Sequence, residues 1–244
     1  MPYRSLSAVQ RDVVACTRCP RLRTHCRRIA RVKKREFQHW TYWGKPVKSF
    51  GDPNARLLIV GLAPAAHGAN RTGRMFTGDS SGSWLYDALH RYGFANQPNS
   101  LSLDDGLVLE DCYITAAARC APPGNKPTPA ELARCSRYLE AEIGLLRRVR
   151  VTLTLGRIGH DAWGKLVGQA GRRTDGEGWK PKFAHGAVHV LPNGMIQIDS
   201  YHPSRQNTNT GKLTREMWYA IFEKARELLD RGQVSGVSAP SHGT

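Results

Sequence analysis

The sequence predicts an α/β domain built on a mostly parallel sheet with helices on both faces. Three observations carry that expectation. Apolar runs at 57–62, 111–118 and 151–155 have the length of buried strands, each gives way to a loop, and helical periodicity follows each loop. At 244 residues the chain can bury one substantial core. One domain is therefore expected over residues 1–231, with the cysteine-bearing and basic segment 14–50 packed on it. Residues 232–244 (GQVSGVSAPSHGT) are expected to form a disordered tail.

Near the start, Cys16 and Cys19 form a CxxC pair expected on a turn, and the segment 21–35 that follows is dense in Lys and Arg with no acid. Residues 37–51 (FQHWTYWGKPVKSFG) interleave aromatics with lysines, a mixture that either stacks on bases or straps the first cysteines to the core. The run LLIVGL at 57–62 reads as the opening buried strand, breaking at Ala63-Pro64 into a loop of small residues with one histidine and two arginines. Residues 83–92 place Trp84, Leu85, Ala88 and Leu89 at helical spacing behind a cap at Asp79 or Ser80, and such a helix N-terminus favours anions. The strand at 111–118 delivers Arg119 and Cys120 to the same sheet edge. Thr128-Pro129-Ala130-Glu131 then reads as a capped start for a helix over 129–149 with Cys135 on its second turn.

The strand at 151–155 ends in Gly156-Arg157 and a helix of about ten residues through Trp163 and Val167. Residues 168–181 read as a glycine-rich, charged loop. Residues 188–191 and 195–200 pair as a hairpin over Pro192-Asn193-Gly194, the last strand hands over to 201–207, and 212–230 is a final amphipathic helix. In sheets of this kind the loops at the carboxyl ends of the strands meet in one crevice. That gathers residues 61–79, 116–125, 156–157 and 201–207 around one pocket.

The charge balance narrows the partner. With 36 Lys and Arg against 20 Asp and Glu the net charge is +16, which favours a polyanion: nucleic acid first, an anionic membrane surface second, a solvated basic face as the plain alternative. No apolar run approaches the roughly 18 residues of a membrane span. No apolar signal region follows Met1 either, so a cytoplasmic protein is expected. Cys16, Cys19, Cys120 and Cys135 supply thiolates from two distant segments, a set that suits tetrahedral zinc or an iron–sulfur cluster, while the CxxC alone could also be a redox pair. Cys26 is a reserve ligand, and Cys112, in a strand-like run, reads as a buried small residue.

Three stretches, GLAPAAHGANRTGRMFTGD after the first strand, TAAARCAPPGNKPTP after the second and HPSRQNTNTG after the last, resemble the uracil-DNA glycosylase superfamily, and most closely its family 5, the type B enzymes. The resemblance covers roughly residues 14–229. It implies a three-layer α/β/α sandwich and a [4Fe-4S] cluster near the N-terminal segment, held by Cys16, Cys19, Cys120 and Cys135 in a structural role, with zinc as the alternative. The first motif departs from other families: the water-activating aspartate of family 1 falls at Ala63, and the glutamate of the family 4 motif falls at Leu62. An asparagine that reads the pyrimidine edge in the narrowest families falls at Ala116. Loss of that partner implies relaxed selectivity, in keeping with a family that accepts uracil, hypoxanthine and some damaged pyrimidines.

The roles implied by the resemblance follow. Asp79 orients water and opposes the sugar charge, Asn125 is a second polar group, and His202 donates to O2 of the leaving base. Phe76 stacks on the extruded base, with Gly61, Ala63, Pro64 and Ala116 lining its pocket. Ser204, Asn70 and Arg71 contact phosphate, and Arg205 and Gln206 enter the duplex. Each has a plain counterpart: Asp79 as a helix cap, His202 as a structural residue, His67 as loop packing, Arg71 and Arg74 as salt-bridged scaffold. His185 and His189 carry no assignment. The expectation is a monomeric, monofunctional glycosylase on double-stranded DNA containing deaminated bases, associated with the nucleoid of a prokaryote. A non-catalytic nucleic-acid binding module is the alternative.

Overall fold

The computed structural model describes residues 3–170, 181–191 and 193–234. Six strands form one sheet: β1 (Phe50–Gly51), β2 (Leu57–Gly61), β3 (Cys112–Ala116), β4 (Val151–Leu155), β5 (Val188–Val190) and β6 (Ile196–Ser200), in the order β1-β3-β2-β4-β6-β5. The four inner strands β3, β2, β4 and β6 are parallel, with Gly61 beside Ala116 and Thr154 beside Asp199. Only the edge strands β1 and β5 run antiparallel. Every residue of β2, β3 and β4 is buried, as expected for parallel strands covered on both faces, and this is why they read as continuous apolar runs.

Successive side chains feed opposite layers. Leu57 and Ile59 pack with Leu85 and Leu89 of α4 (Ser80–Arg91) and with Trp218, Phe222 and Ala225 of α8 (Arg215–Val234). Leu58 and Val60 pack with Leu139 of α5 (Pro129–Leu145) and Trp163 and Val167 of α6 (Gly156–Ala170). Helices therefore cover both faces. Pairing continues past β2, where Ala117 and Ala118 donate to the carbonyls of Gly61 and Leu62 at 2.9 Å each and so fix the start of the first loop.

Several boundaries differ from expectation. The basic N-terminal segment folds as α1 (Leu6–Ala15), capped by Ser5, and α2 (Pro20–Val32), with Pro20 in its first turn. Val9 and Val13 of α1 pack on Tyr138 and Ala141 of α5. The helix at α5 stops at Leu145, short of residue 149, whereas α6 runs fifteen residues to Ala170 and takes in the start of the expected glycine-rich loop. The remainder of that loop, residues 171–180, lies outside the described residues, as does Pro192 of the hairpin. The final helix α8 reaches Val234, past the start of the expected tail at residue 232, and the rest of that tail, 235–244, lies outside the described residues. Among the described residues no helix is long and apolar enough to cross a membrane.

Candidate functional site

At the carboxyl end of the inner strands the loops enclose one pocket of about 1400 Å³ of open space. After β2, the first loop contributes Leu62, Ala63 and Ala65, then Met75, Phe76 and Asp79, with Ser80 and Ser81 from the first turn of α4. Ala116 closes β3, and Gly124 and Asn125 come from the proline-rich turn beyond it. The chain after β6 supplies His202, Ser204, Arg205 and Gln206. The three sequence motifs thus meet at one place.

Asp79 is the N-cap of α4, its Oδ1 accepting from the Gly82 N–H at 2.9 Å. Burial pushes its carboxyl pKa upward, opposed by the Gly82 and Ser81 N–H groups and by the charges of Arg205 and Arg71. The other oxygen faces the first loop closely: a Cβ at Gly68 would come within 2.2 Å of Asp79 Oδ2. Only glycine lets the loop pass there. Phe76 holds a left-handed backbone at φ 53°, and its ring lies against Gly61, where a Cβ would sit 2.9 Å from the ring. A bulky residue in that conformation is strained.

His202 stacks on Phe76 with ring centroids 5.8 Å apart and planes 26° from parallel. Burial pushes the His202 pKa down to about 4, so the imidazole is neutral at physiological pH and offers an N–H donor rather than a cation. Asn207 Nδ2 donates to the His202 carbonyl at 2.8 Å, and Ser204 caps α7 (Arg205–Asn209) by accepting from the Asn207 N–H. This fixes the turn and leaves Arg205 and Gln206 exposed at the pocket rim. Asn125 is exposed on the opposite rim, also with a left-handed backbone at φ 56°.

Four expected residues stand elsewhere. Gly61 lies behind the Phe76 ring and Pro64 is buried, so neither lines the pocket surface. Asn70 and Arg71, expected on phosphate, are buried parts of the loop scaffold. Asn70 Nδ2 donates to the Cys26 and Ala66 carbonyls, while Arg71 donates to the carbonyls of His67 and Gly78 and lies over the rings of Phe37 and Trp40. The aromatic segment is therefore a strap over the first loop, and Arg71 is its anchor. Arg74 is buried scaffold too, bonded to Asp105 and Ser100. His67 hydrogen-bonds Tyr42 at 3.1 Å, in line with loop packing. Met75 and Ser81 were not singled out from the sequence, and Ser80 only as an alternative helix cap; their signal was adjacency to Phe76 and Asp79 in one motif.

The cysteines form a second site. Cys16 is the C-cap of α1, Cys19 the N-cap of α2, Cys120 follows β3 and Cys135 lies on α5, and all four line one small pocket together with Arg18, Arg23, Arg119 and Arg134. Burial pushes the Cys135 thiol up to about 11, so it ionises only with a cation at hand. Cys26 packs beside Cys120, donating toward the Ala121 carbonyl, and does not line this pocket; Cys112 is buried in the core. Among the described residues no three His, Cys, Asp or Glu side chains are grouped so as to hold a single metal ion.

Comparison with known proteins identifies the family. The family model described as the uracil DNA glycosylase superfamily matches residues 48–226. A Type-5 uracil-DNA glycosylase of Thermus thermophilus is 49% identical over 221 residues, covering 91% of this chain and 97% of the relative. One of Mycobacterium leprae is 48% identical over 225 residues, covering 92% and 96%. A Type-4 uracil-DNA glycosylase of Thermotoga maritima is more distant, at 27% over 183 residues, covering 74% and 81%.

Proposed function

The chain belongs to the uracil-DNA glycosylase superfamily and, within it, to the type-5 enzymes; from that premise we propose that it removes uracil and other deaminated bases, hypoxanthine among them, from double-stranded DNA by base flipping. It is a DNA-repair glycosidase by membership, and the proposed reaction hydrolyses the N-glycosidic bond to leave an abasic site. The observation that carries this reading is one pocket lined by Phe76, Asp79, Asn125 and His202.

Cleavage of a deoxynucleotide passes through an oxocarbenium-like state, so the site must oppose positive charge on the sugar, accept negative charge on the base and place one water at C1′. The flipped base stacks on Phe76. Asp79 opposes the sugar charge and orients the water with the carboxylate oxygen not occupied by the helix cap. Neutral His202 donates to the base oxygen on which charge grows, and a neutral donor avoids placing a second cation beside the oxocarbenium. Leu62 and Ala63 at the pocket wall offer no acid, which among the described residues leaves Asp79 as the carboxylate of the pocket. Ala116 offers no hydrogen bond to the base edge, which supports broad base acceptance. The mechanism is monofunctional, since among the described residues no lysine lines the pocket to form a Schiff base.

Cys16, Cys19, Cys120 and Cys135 would hold a [4Fe-4S] cluster. The donor set fits: four cysteine sulfurs from two distant segments line one pocket, the number and type of donor that a [4Fe-4S] cluster takes, and a four-thiolate zinc is the alternative. When bound, the cluster ties the N-terminal helices to the loop beyond β3 and to α5, and no step of hydrolysis passes through it. Action as a monomer belongs to the same reading. The +16 charge supports residence on nucleoid DNA.

The test is incubation of the protein with duplexes carrying uracil opposite guanine or hypoxanthine opposite thymine, followed by alkali. Strand cleavage at the lesion is expected with both. Intact strands with both overturn the reading, and cleavage at uracil alone removes hypoxanthine from it.

A further inference from the structure

The wall of the cysteine pocket holds two unmatched donors. Arg23 of α2 and Arg119, just before Cys120, both line it and are 8% and 2% exposed. The Arg119 guanidinium is committed at its ends: Nη2 donates to Glu142 Oε2 at 2.5 Å and Nη1 to Ser49 Oγ. Glu142, fully buried on α5 two turns beyond Cys135, also accepts from Ser49 and Thr115. Arg23 Nη1 donates to the Gly44 carbonyl at 3.2 Å. In both side chains Nε is buried with no partner among the described residues. A buried N–H without an acceptor is costly, and a native structure rarely keeps two on the wall of one pocket.

We propose that Arg23 and Arg119 donate their Nε–H groups to sulfur of the cluster held by Cys16, Cys19, Cys120 and Cys135; the inference rests on the cluster reading above. Neutral thiols are weak acceptors, whereas an oxidised four-iron cluster with four thiolates is a dianion whose sulfurs accept N–H bonds that tune its potential. Arg119 does this from a rigid mount, because the Glu142 pair joins the segment bearing Cys120 to the helix bearing Cys135. Arg23 does it from the helix that begins at Cys19. The two donors thus sit one on each ligand-bearing half of the site.

The test uses the full chain purified without oxygen, with Arg23→Lys and Arg119→Lys. Lysine keeps the charge, places a methylene where Nε stood and ends short of both Nη positions, so it removes the Nε donor together with the Nη bonds. Readouts are iron and sulfide per chain, the visible absorption, the reduction potential in a dye-mediated titration and the bleaching rate in excess chelator. Wild-type protein is expected to hold iron and sulfide, and each variant to assemble the cluster at a more negative potential and to lose it about 10-fold faster. Wild-type protein holding zinc or no iron overturns the cluster reading and this proposal together. Iron-loaded wild type whose Arg23→Lys variant matches it in potential and bleaching overturns the donor assignment and leaves the cluster reading standing. Arg23→Lys carries the decision if Arg119→Lys melts, since Arg23 is held by the Gly44 carbonyl and Cys26 rather than by a buried ion pair such as that of Arg119 with Glu142.

Discussion

At Asp79 the two carboxylate oxygens face different surroundings: one accepts from the Gly82 N–H at the start of α4, the other lies against Gly68 in the first loop. The cap is observed and the other oxygen is left to the proposed catalytic role, so a substitution can separate the two. Asparagine caps helices as well as aspartate does, so Asp79→Asn is expected to keep the melting temperature while lowering single-turnover uracil excision by about 100-fold or more. Asp79→Ala is expected to lose in addition about 1 kcal/mol of stability, read by thermal melts. The pH profile follows from the same residue. The carboxylate is the active form and burial raises its pKa, so excision is expected to fall as pH drops through a midpoint above the ordinary aspartate value of about 3.9. His202, held near 4, stays neutral through the physiological range and adds no limb there. A limb near pH 6.5 that disappears in His202→Asn would show a protonated histidine at work instead. Ala116, paired with Gly61 at the end of β3, is expected on substitution by asparagine to shift the ratio of uracil to hypoxanthine excision toward uracil; an unchanged ratio removes it as the selectivity position.

At the scale of elements, legibility followed burial. The strands β2, β3 and β4 stood out because parallel strands buried on both faces carry unbroken apolar runs, and α5 because Thr128 and Glu131 form a reciprocal capping box. Thr128→Ala is expected to cost about 1 kcal/mol, measured by denaturant unfolding, without changing the excision rate constant of the folded enzyme. The helices α1 and α2 were hidden. Their apolar faces are narrow, Val9 with Val13 and Leu22 with Cys26, and the charged residues between them drew the reading toward a basic surface. Ser5 and Pro20 were the start signals available.

Across the whole molecule, charge is divided between surface and scaffold in a way composition does not reveal. Arg205 is exposed at the pocket rim, while Arg71 is enclosed by Phe37, Trp40 and two carbonyls. In DNA binding measured against salt, Arg205→Ala is expected to reduce the slope of log K by about 1, whereas Arg71→Ala is expected to lower the melting temperature and leave the slope unchanged. The family, the α/β class with its central strands and the grouping of Asp79, Asn125 and His202 were determined by the sequence alone. These rest on local signals, apolar runs and contiguous motifs, that topology then brings to one sheet edge. Only the tertiary structure decided that Asn70 and Arg71 are scaffold, that Phe76 is strained over Gly61, that His202 is neutral and that Arg23 and Arg119 keep unpaired donors at the cysteine pocket. Burial and the anchoring contacts, such as Asn70 with Cys26 and Arg71 with Phe37 and Trp40, join residues far apart in the chain, and no local window of sequence contains both partners.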